Sequence, residues 1–151
     1  MNIAKSNSKS VVLIGASFNT GNLGVSALAW SSLELITQRW PGSDVVILGG
    51  GREPSTVSIT VAGHSRELST WPVRYCCNFF KANHIALLFV AGYLAHWFPS
   101  LVGLWRQQNS TLGAICRADA FLDITGGDSF SDIYGMVKLI KTYLLKRACQ
   151  M

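Results

Sequence analysis

Two glycine-rich, polar segments carry the groups that could bind a ligand. The first runs from residue 15 to residue 24, and its candidate substrate-binding residues are Asn19, Thr20, Gly21, Asn22 and Gly24. Glycines allow a backbone to approach a ligand closely, and the amides at the start of a helix attract anions or hydroxylated groups. The structural alternative is a tight connection between a strand and a helix that binds nothing.

The second segment, residues 126–135, combines glycines with acidic and hydroxyl side chains. Its candidate substrate-binding residues are Gly126, Gly127 and Ser129. Asp132 directly precedes the apolar positions of a helix, so it is equally well explained as an N-terminal cap. Asp128 has no such structural explanation, and it is the one carboxylate that we select as a candidate catalytic group.

Neither segment matches a cofactor fingerprint. The glycines at positions 15, 21 and 24 are too widely spaced for a dinucleotide-binding turn, and no Lys-Ser or Lys-Thr pair follows as in a phosphate-binding loop. The acidic residues between 119 and 132 match no calcium loop, the cysteines lack zinc-site spacing, and no histidine has a sequence-adjacent dyad partner. We therefore predict no metal and no resident cofactor.

Strands and helices must position these two segments. Residues 11–15, 44–49 and 120–125 are short apolar runs, typical of parallel strands that are buried on both faces. Apolar residues follow each segment at helical spacing: Val25, Leu28, Ala29, Leu33, Ile36 and Trp40, and later Ile133, Met136, Val137, Ile140 and Leu144. The pattern predicts an α/β fold with a Rossmann-like, doubly wound, mainly parallel sheet, whose carboxyl edge carries both segments.

The chain length corresponds to a single domain. Residues 1–10 form a polar N-terminal tail without the apolar core of a secretory signal, and residues 11–151 form the domain. Alternating polar and apolar side chains at residues 56–62 predict a strand near an edge of the sheet, and residues 110–116 predict a helical turn. A doubly wound sheet would add a strand after the last helix, so we expect the domain to be truncated there.

The motifs at both ends of the domain resemble one family. Asn22-Leu23-Gly24 before an amphipathic helix, together with the stretch Asp119–Gly135 (DAFLDITGGDSFSDIYG), is similar to the polysaccharide pyruvyl transferase family. Those enzymes resemble two-domain GT-B glycosyltransferases in fold. They transfer pyruvate as a ketal from phosphoenolpyruvate, the donor substrate, to saccharide hydroxyls and release phosphate. The resemblance covers this whole chain, but only the N-terminal half of a family member.

This resemblance implies a role in exopolysaccharide or other surface polysaccharide biosynthesis. Asp128 would be the general base that activates a hydroxyl of a saccharide or lipid-linked saccharide acceptor. Many family members have an acidic residue where this chain has Val25, so the first segment lacks that carboxylate. A C-terminal domain contributes much of the family's donor site, so we expect this chain to be inactive alone. Two alternatives stay open: a GT-B-type glycosyltransferase that uses a nucleotide sugar, and a non-catalytic, truncated interaction domain.

Charge and hydropathy bear on partners and location. The net charge is +5, yet no basic stripe interleaved with aromatic residues is present, so we predict no nucleic-acid partner. Residues 85–105 are uncharged and apolar, and Pro99 would kink a helix that spanned a bilayer. We interpret them as helices packed within the domain, with peripheral membrane contact as the alternative. The expected location is the cytoplasm, including the inner face of the membrane, with reduced cysteines.

Overall fold

The computed structural model describes residues 8–18, 21–49, 53–61, 64–74, 83–98, 100, 103, 107, 109–125 and 136–150. The helices and strands discussed below are, in chain order, β1 (Ser10–Ile14), α1 (Leu23–Arg39), β2 (Asp44–Gly49), β3 (Ser55–Val61), β4 (His64–Pro72), α2 (Ile85–Trp97), α3 (Ser110–Arg117), β5 (Ala120–Asp123) and α4 (Met136–Gln150). Strand β1 begins one residue earlier than the apolar run predicts. Residues 1–7 of the predicted tail lie outside the described residues.

These strands form one sheet in the order β3-β4-β2-β1-β5. Strand β1 pairs in parallel with both β2 and β5, and β2 pairs in parallel with β4. Only β3, at one edge of this sheet, is antiparallel to its neighbour. The four parallel strands therefore follow the order 3-2-1-4 of a Rossmann-like half-sheet, which confirms the predicted α/β, mainly parallel fold.

The apolar runs of β1 and β2 bury side chains on both faces of the sheet. One face packs against α1 through Val11, Leu13, Val45, Ile47, Leu33 and Ile36. The other face packs against α2, α3 and α4 through Val12, Ile14, Val46, Leu48, Leu88, Leu112, Ile115 and Leu145. Helices cover both faces, so a strand between them must be apolar on both sides, which is what the continuous runs of the sequence indicate.

Helix α1 has distinct start and stop signals. The side chain of Asn22 accepts hydrogen bonds from the amides of Gly24 and Val25, at 3.1 and 3.3 Å, which satisfies two amides that lack a partner inside the helix. The helix ends at Arg39, ahead of Pro41, and Gly42 adopts the positive φ of 75° in the turn before β2. The helix buries Ala29, Ser32, Leu33 and Ile36, while Val25 and Leu28 are exposed.

Strand β4 is an element that the sequence pattern does not predict. Its residues are mostly polar, and the strand nevertheless lies between β2 and β3. Leu68 and Pro72 are fully buried in it. Arg66 points toward α1, where it donates hydrogen bonds to the Thr37 hydroxyl (2.8 Å) and to the Ser43 carbonyl. A charged side chain is thus accommodated beside the core because acceptors on α1 and in the turn before β2 satisfy it.

The buried face of α4 differs from the predicted one. Of the residues expected to face inward, Met136 and Ile140 are 64% and 53% exposed, and Leu144 is partly buried. Leu145 and Ala148 form the buried contact instead. Both sides of this helix carry apolar residues, so its periodicity alone does not determine which side faces the sheet. Ile133 lies outside the described residues, and the structure does not describe the Val137 side chain.

Residues 85–97 form a helix that packs on the sheet, as interpreted from the sequence. Helix α2 buries Ile85, Leu88 and Ala91 in the core. Within the described residues, none of the helices has both the length and the hydropathy that a membrane span needs. The 13 residues of α2 extend about 20 Å, compared with a hydrocarbon core of about 30 Å.

Candidate functional site

A cleft of about 480 Å³ opens at the carboxyl ends of the parallel strands. Its described lining comes from the ends of β1, β2 and β4, the start of β3, residues 15–18, Thr125 and one side of α4. Because α1 follows β1 on one face of the sheet and α4 follows β5 on the other, the boundary between β1 and β5 is a topological switch point. In open α/β sheets, ligands bind in the crevice at such points.

The first glycine-rich segment begins in contact with Thr125, the residue that precedes the second segment. Gly15 directly follows β1 and has a φ of 79°, a conformation that favours glycine. A Cβ atom on Gly15 would lie 2.8 Å from the backbone nitrogen of Thr125, which follows β5. The chain leaving β1 therefore passes directly against the chain leaving β5, and a side chain at position 15 would force them apart. This contact lies at the carboxyl ends of β1 and β5, the edge on which the sequence predicts both segments, and residues 126–135 themselves lie outside the described residues.

Asp123, the last residue of β5, holds the Thr125 side of this contact. Its carboxylate accepts hydrogen bonds from the Thr125 amide, at 2.9 Å, and from the Thr125 hydroxyl, and it pairs with Lys146 of α4. Partial burial is the largest influence and raises the pKa of Asp123, but the hydrogen bonds from Lys146 and Thr125 outweigh it, so the net pKa is lowered. The ionised carboxylate therefore ties β5 to α4.

A second groove of about 450 Å³ lies between β5 and the end of α4. Asp123, Lys146 and Cys149 are among its lining residues. Burial, followed by the charge of Asp123, raises the pKa of the Cys149 thiol to about 12. A thiol with that pKa is almost entirely protonated at neutral pH, so this groove offers no cysteine nucleophile.

The first segment is attached to α1 by an aromatic contact. The rings of Phe18 and Trp30 meet edge to face, with centroids 5.1 Å apart and planes at 74°. Ser17 and Phe18 both line the cleft. Residues 15–18 thus contribute one hydroxyl and one aromatic ring, and the contact with α1 positions that ring.

The described lining of the cleft is uncharged and combines hydroxyl groups with apolar side chains. Its hydroxyl groups belong to Ser17, Ser55, Thr70, Thr125 and Thr142, and the rest is apolar side chains and glycine backbone. No ionisable side chain occurs among the described residues that line it. Hydroxyls donate and accept hydrogen bonds, and a volume of this size is ordinary for a small-molecule site. The arrangement suits a neutral, hydroxylated ligand with an apolar face.

Three of the predicted site residues lie within the described part of the chain, and none of the three lines the cleft. Asn22 caps α1, Gly21 has a positive φ of 71°, and Gly24 lies in the first turn of α1. Asn22 therefore has a structural role, because its side-chain oxygen accepts hydrogen bonds from the first amides of α1. The other predicted site residues lie outside the described residues: Asn19, Thr20, Gly126, Gly127, Asp128 and Ser129.

Sequence reasoning did not single out Ser55, Thr70 and Thr142. Ser55 and Thr70 are paired across β3 and β4, and β4 itself is not predicted. Thr142 and Leu145 are three residues apart on α4, so they share a side of the helix and both line the cleft. A polar residue, Thr142, on the same side of α4 as the apolar Leu145 is the local signal that could have identified α4 as part of the cleft lining.

Asp119, which directly precedes β5, also has structural partners. Asp119 accepts a hydrogen bond from the Ser10 amide at 2.8 Å and pairs with Lys9 at 3.1 Å. The Ser10 amide and then Lys9 lower the pKa of Asp119. In the described part of the chain, no group of three or more histidine, cysteine or acidic side chains is arranged to hold a metal ion.

Replacement of Gly15 is expected to be more damaging than replacement of Gly21. Both residues have positive φ, so each alanine variant loses about 1 kcal/mol in unfolding free energy from backbone strain. Only Gly15→Ala also drives a Cβ atom into Thr125, because the space around Gly21 is open. We expect a total loss of at least about 2 kcal/mol for Gly15→Ala, measured by urea unfolding. Equal losses in the two variants would contradict the close approach.

The Asp123 carboxylate is expected to stabilise the fold in a pH-dependent way. Its folded-state pKa lies below the ordinary value of 3.8, so its contribution is complete above that value and is lost as pH falls through the folded-state pKa. Asp123→Asn should cost on the order of 1 kcal/mol at pH 7 and progressively less toward pH 2.5. Urea unfolding across this range measures the difference, with Lys146→Gln as the partner variant. A loss that does not change with pH would exclude the role of the ionised form.

The cleft is interpreted from its own residues. Comparisons with models of protein families, with curated proteins and with solved structures returned no match for this chain. The resemblance to the polysaccharide pyruvyl transferase family therefore stays a prediction that rests on residues 22–24 and 119–135.

Proposed function

We propose that this chain is the N-terminal, acceptor-binding domain of a polysaccharide pyruvyl transferase-like enzyme, and that its cleft holds the saccharide whose hydroxyl reacts. The observation that carries the proposal is the uncharged, hydroxyl-rich lining of a cleft at the topological switch point. Hydroxyl side chains match the hydroxyls of a saccharide, and Phe18 and Val73 match its apolar ring face.

The same lining favours the acceptor over the donor as the occupant. Phosphoenolpyruvate carries a phosphate and a carboxylate, and proteins bind such groups with cationic side chains or with converging backbone amides. The described lining contains no cation. In this proposal the cations that bind the donor belong to a second domain, as the family resemblance implies.

The proposed reaction transfers pyruvate as a ketal. Two saccharide hydroxyls add to C2 of phosphoenolpyruvate, and the methylene carbon gains one of their two protons. The bond between C2 and the phosphate oxygen breaks, and phosphate leaves with the second proton. Asp128 accepts the proton of an acceptor hydroxyl. Asp128 follows Thr125, which lines the cleft, by three residues in the sequence. The enzyme works in the cytoplasm at the inner face of the membrane, where a lipid-linked saccharide is available as acceptor.

Saccharide binding is expected in the 151-residue chain itself. Saturation-transfer-difference NMR with methyl glycosides of neutral hexoses and N-acetylhexosamines should show transfer to the saccharide, and phosphoenolpyruvate alone should show none. Ser17→Ala and Thr142→Ala each remove one hydrogen-bonding group from the cleft, so each should weaken binding about threefold to tenfold. Ser31→Ala, at an exposed position of α1, is the matched control. Preferred binding of phosphoenolpyruvate or of a nucleotide sugar would contradict the acceptor assignment.

Asp128 is expected to act in chemistry and not in saccharide binding. With the product of the intact gene, phosphate release from phosphoenolpyruvate should require the acceptor, and Asp128→Asn should lower kcat by about 10² to 10⁴. Saccharide binding by NMR should be unchanged in that variant. The control is Asp132→Asn, in the same segment, whose expected role is a helix cap. An equal loss in both variants would remove the special role of Asp128, and nucleotide release from a nucleotide sugar would support a glycosyltransferase instead.

A further inference from the structure

Two stripes of large apolar side chains are exposed on neighbouring helices. On α2, Val90, Tyr93 and Trp97 follow helical spacing, and Phe98 comes directly after the helix. On α4, the corresponding residues are Met136, Ile140 and Tyr143. These seven side chains are between 45% and 64% exposed. Because positions i, i+3 or i+4, and i+7 lie on one side of a helix, each stripe is a continuous apolar face.

The two stripes belong to one outer surface of the domain. Helices α2 and α4 contact each other, and both pack on the same face of the sheet through residues such as Leu88, Ala91 and Leu145. Their other sides point away from the core. We call the seven exposed residues the α2–α4 surface. Apolar patches of this kind on a folded domain mark sites of contact with another molecule or with a membrane.

The charged residues of the two helices that form this surface are all basic, and one of them, Lys146, pairs with Asp123 of β5. No acidic residue occurs in α2 or α4, and none occurs anywhere between Leu68 and Ala118. Helix α4 carries the bases Lys138, Lys141, Lys146 and Arg147. A basic helix beside exposed tyrosine, tryptophan and phenylalanine is complementary to a bilayer that has an anionic headgroup layer above an apolar interior.

Helix α1, on the opposite face of the sheet, provides an internal comparison. It also exposes large apolar side chains, including Leu23 and Leu35, but no exposed aromatic residue is among them. It carries Glu34 next to Leu35, and its one basic residue is Arg39. Apolar exposure is thus shared by both faces, while among the described helices exposed aromatic side chains occur only on α2 and α4, which carry no acidic residue.

We propose that the α2–α4 surface binds the interface of an anionic lipid bilayer. Helix α2 lies along that interface with Tyr93, Trp97 and Phe98 at headgroup depth, since its length of about 20 Å is too short to span the hydrocarbon core. Arg147 is exposed on the side of α4 that carries Ile140 and Tyr143, and it faces the anionic headgroups. This inference goes beyond the proposed function and does not depend on it, because it requires neither a saccharide nor a transfer reaction.

Vesicle flotation of the 151-residue chain tests this proposal. The chain should float with phosphatidylcholine vesicles that contain phosphatidylglycerol and should float poorly with phosphatidylcholine alone. Raising the salt concentration should weaken binding to the anionic vesicles, because salt screens exposed charges. This comparison uses the wild-type chain only. Equal binding to both kinds of vesicle, or no binding to either, would overturn the proposal.

Matched variants locate the binding surface. Trp97→Ser combined with Ile140→Ser removes one exposed apolar side chain from each stripe and should weaken partitioning to anionic vesicles at least about tenfold. Leu23→Ser combined with Leu35→Ser removes two exposed side chains from α1 and should change partitioning to anionic vesicles less than twofold. Far-UV circular dichroism checks that both variants fold. An equal loss of vesicle binding in the two double variants would refute this location. If the chain does not bind vesicles but self-associates, and Trp97→Ser abolishes the self-association, the surface is a protein interface and the proposal is wrong.

Discussion

The close approach of Gly15 to Thr125 controls the geometry of the functional edge. Strand β1 leads to α1 on one face of the sheet, its parallel neighbour β5 leads to α4 on the other face, and the chain that leaves β1 passes beside the chain that leaves β5. A glycine with positive φ permits this, because no Cβ atom separates the two backbones. The turn at Thr125 is in turn held by Asp123, whose ion pair with Lys146 reaches α4. The Gly15–Thr125 contact and the Asp123–Lys146 ion pair therefore connect the chain leaving β1 with β5 and α4 at this edge.

The cleft forms because the elements around this edge come from distant parts of the chain. Residues 15–18 are held by Phe18 against Trp30, while Ser55 and Thr70 approach from the β3–β4 pair on the other side of β2. Thr142 and Leu145 close the cleft from α4. Hydroxyls from each of these parts converge on one volume without a charged side chain among the described lining residues. That composition is the physical basis for assigning a neutral, hydroxylated ligand.

Helices α2 and α4 differ between the side that packs in the core and the side that faces outward. The inner sides of α2 and α4 complete the core with Leu88, Ala91 and Leu145, while their outer sides expose aromatic and apolar residues, with Arg147 on the outer side of α4. Stability of the domain requires only the inner contacts. The outer residues are therefore not explained by folding, and an apolar surface in water carries a hydration cost that contact with a bilayer interface removes.

The sequence alone determined the strands β1, β2 and β5 and the helix that follows β1, because these features follow from local periodicity. Asn22, which the sequence predicts as a substrate-binding residue, caps α1 in the structure. The resemblance carried by residues 22–24 and 119–135 is also a property of the sequence. Only the tertiary structure decided the position of β4, whose Arg66 is satisfied by Thr37 and Ser43 far away in the chain. It also decided that Leu145, and not Ile140, faces the sheet. Helix α4 is apolar on both sides, and its packing against α2 and the sheet selects one of them. Ser55 and Thr70 reach the cleft because β4, which the sequence pattern does not predict, pairs with both β2 and β3.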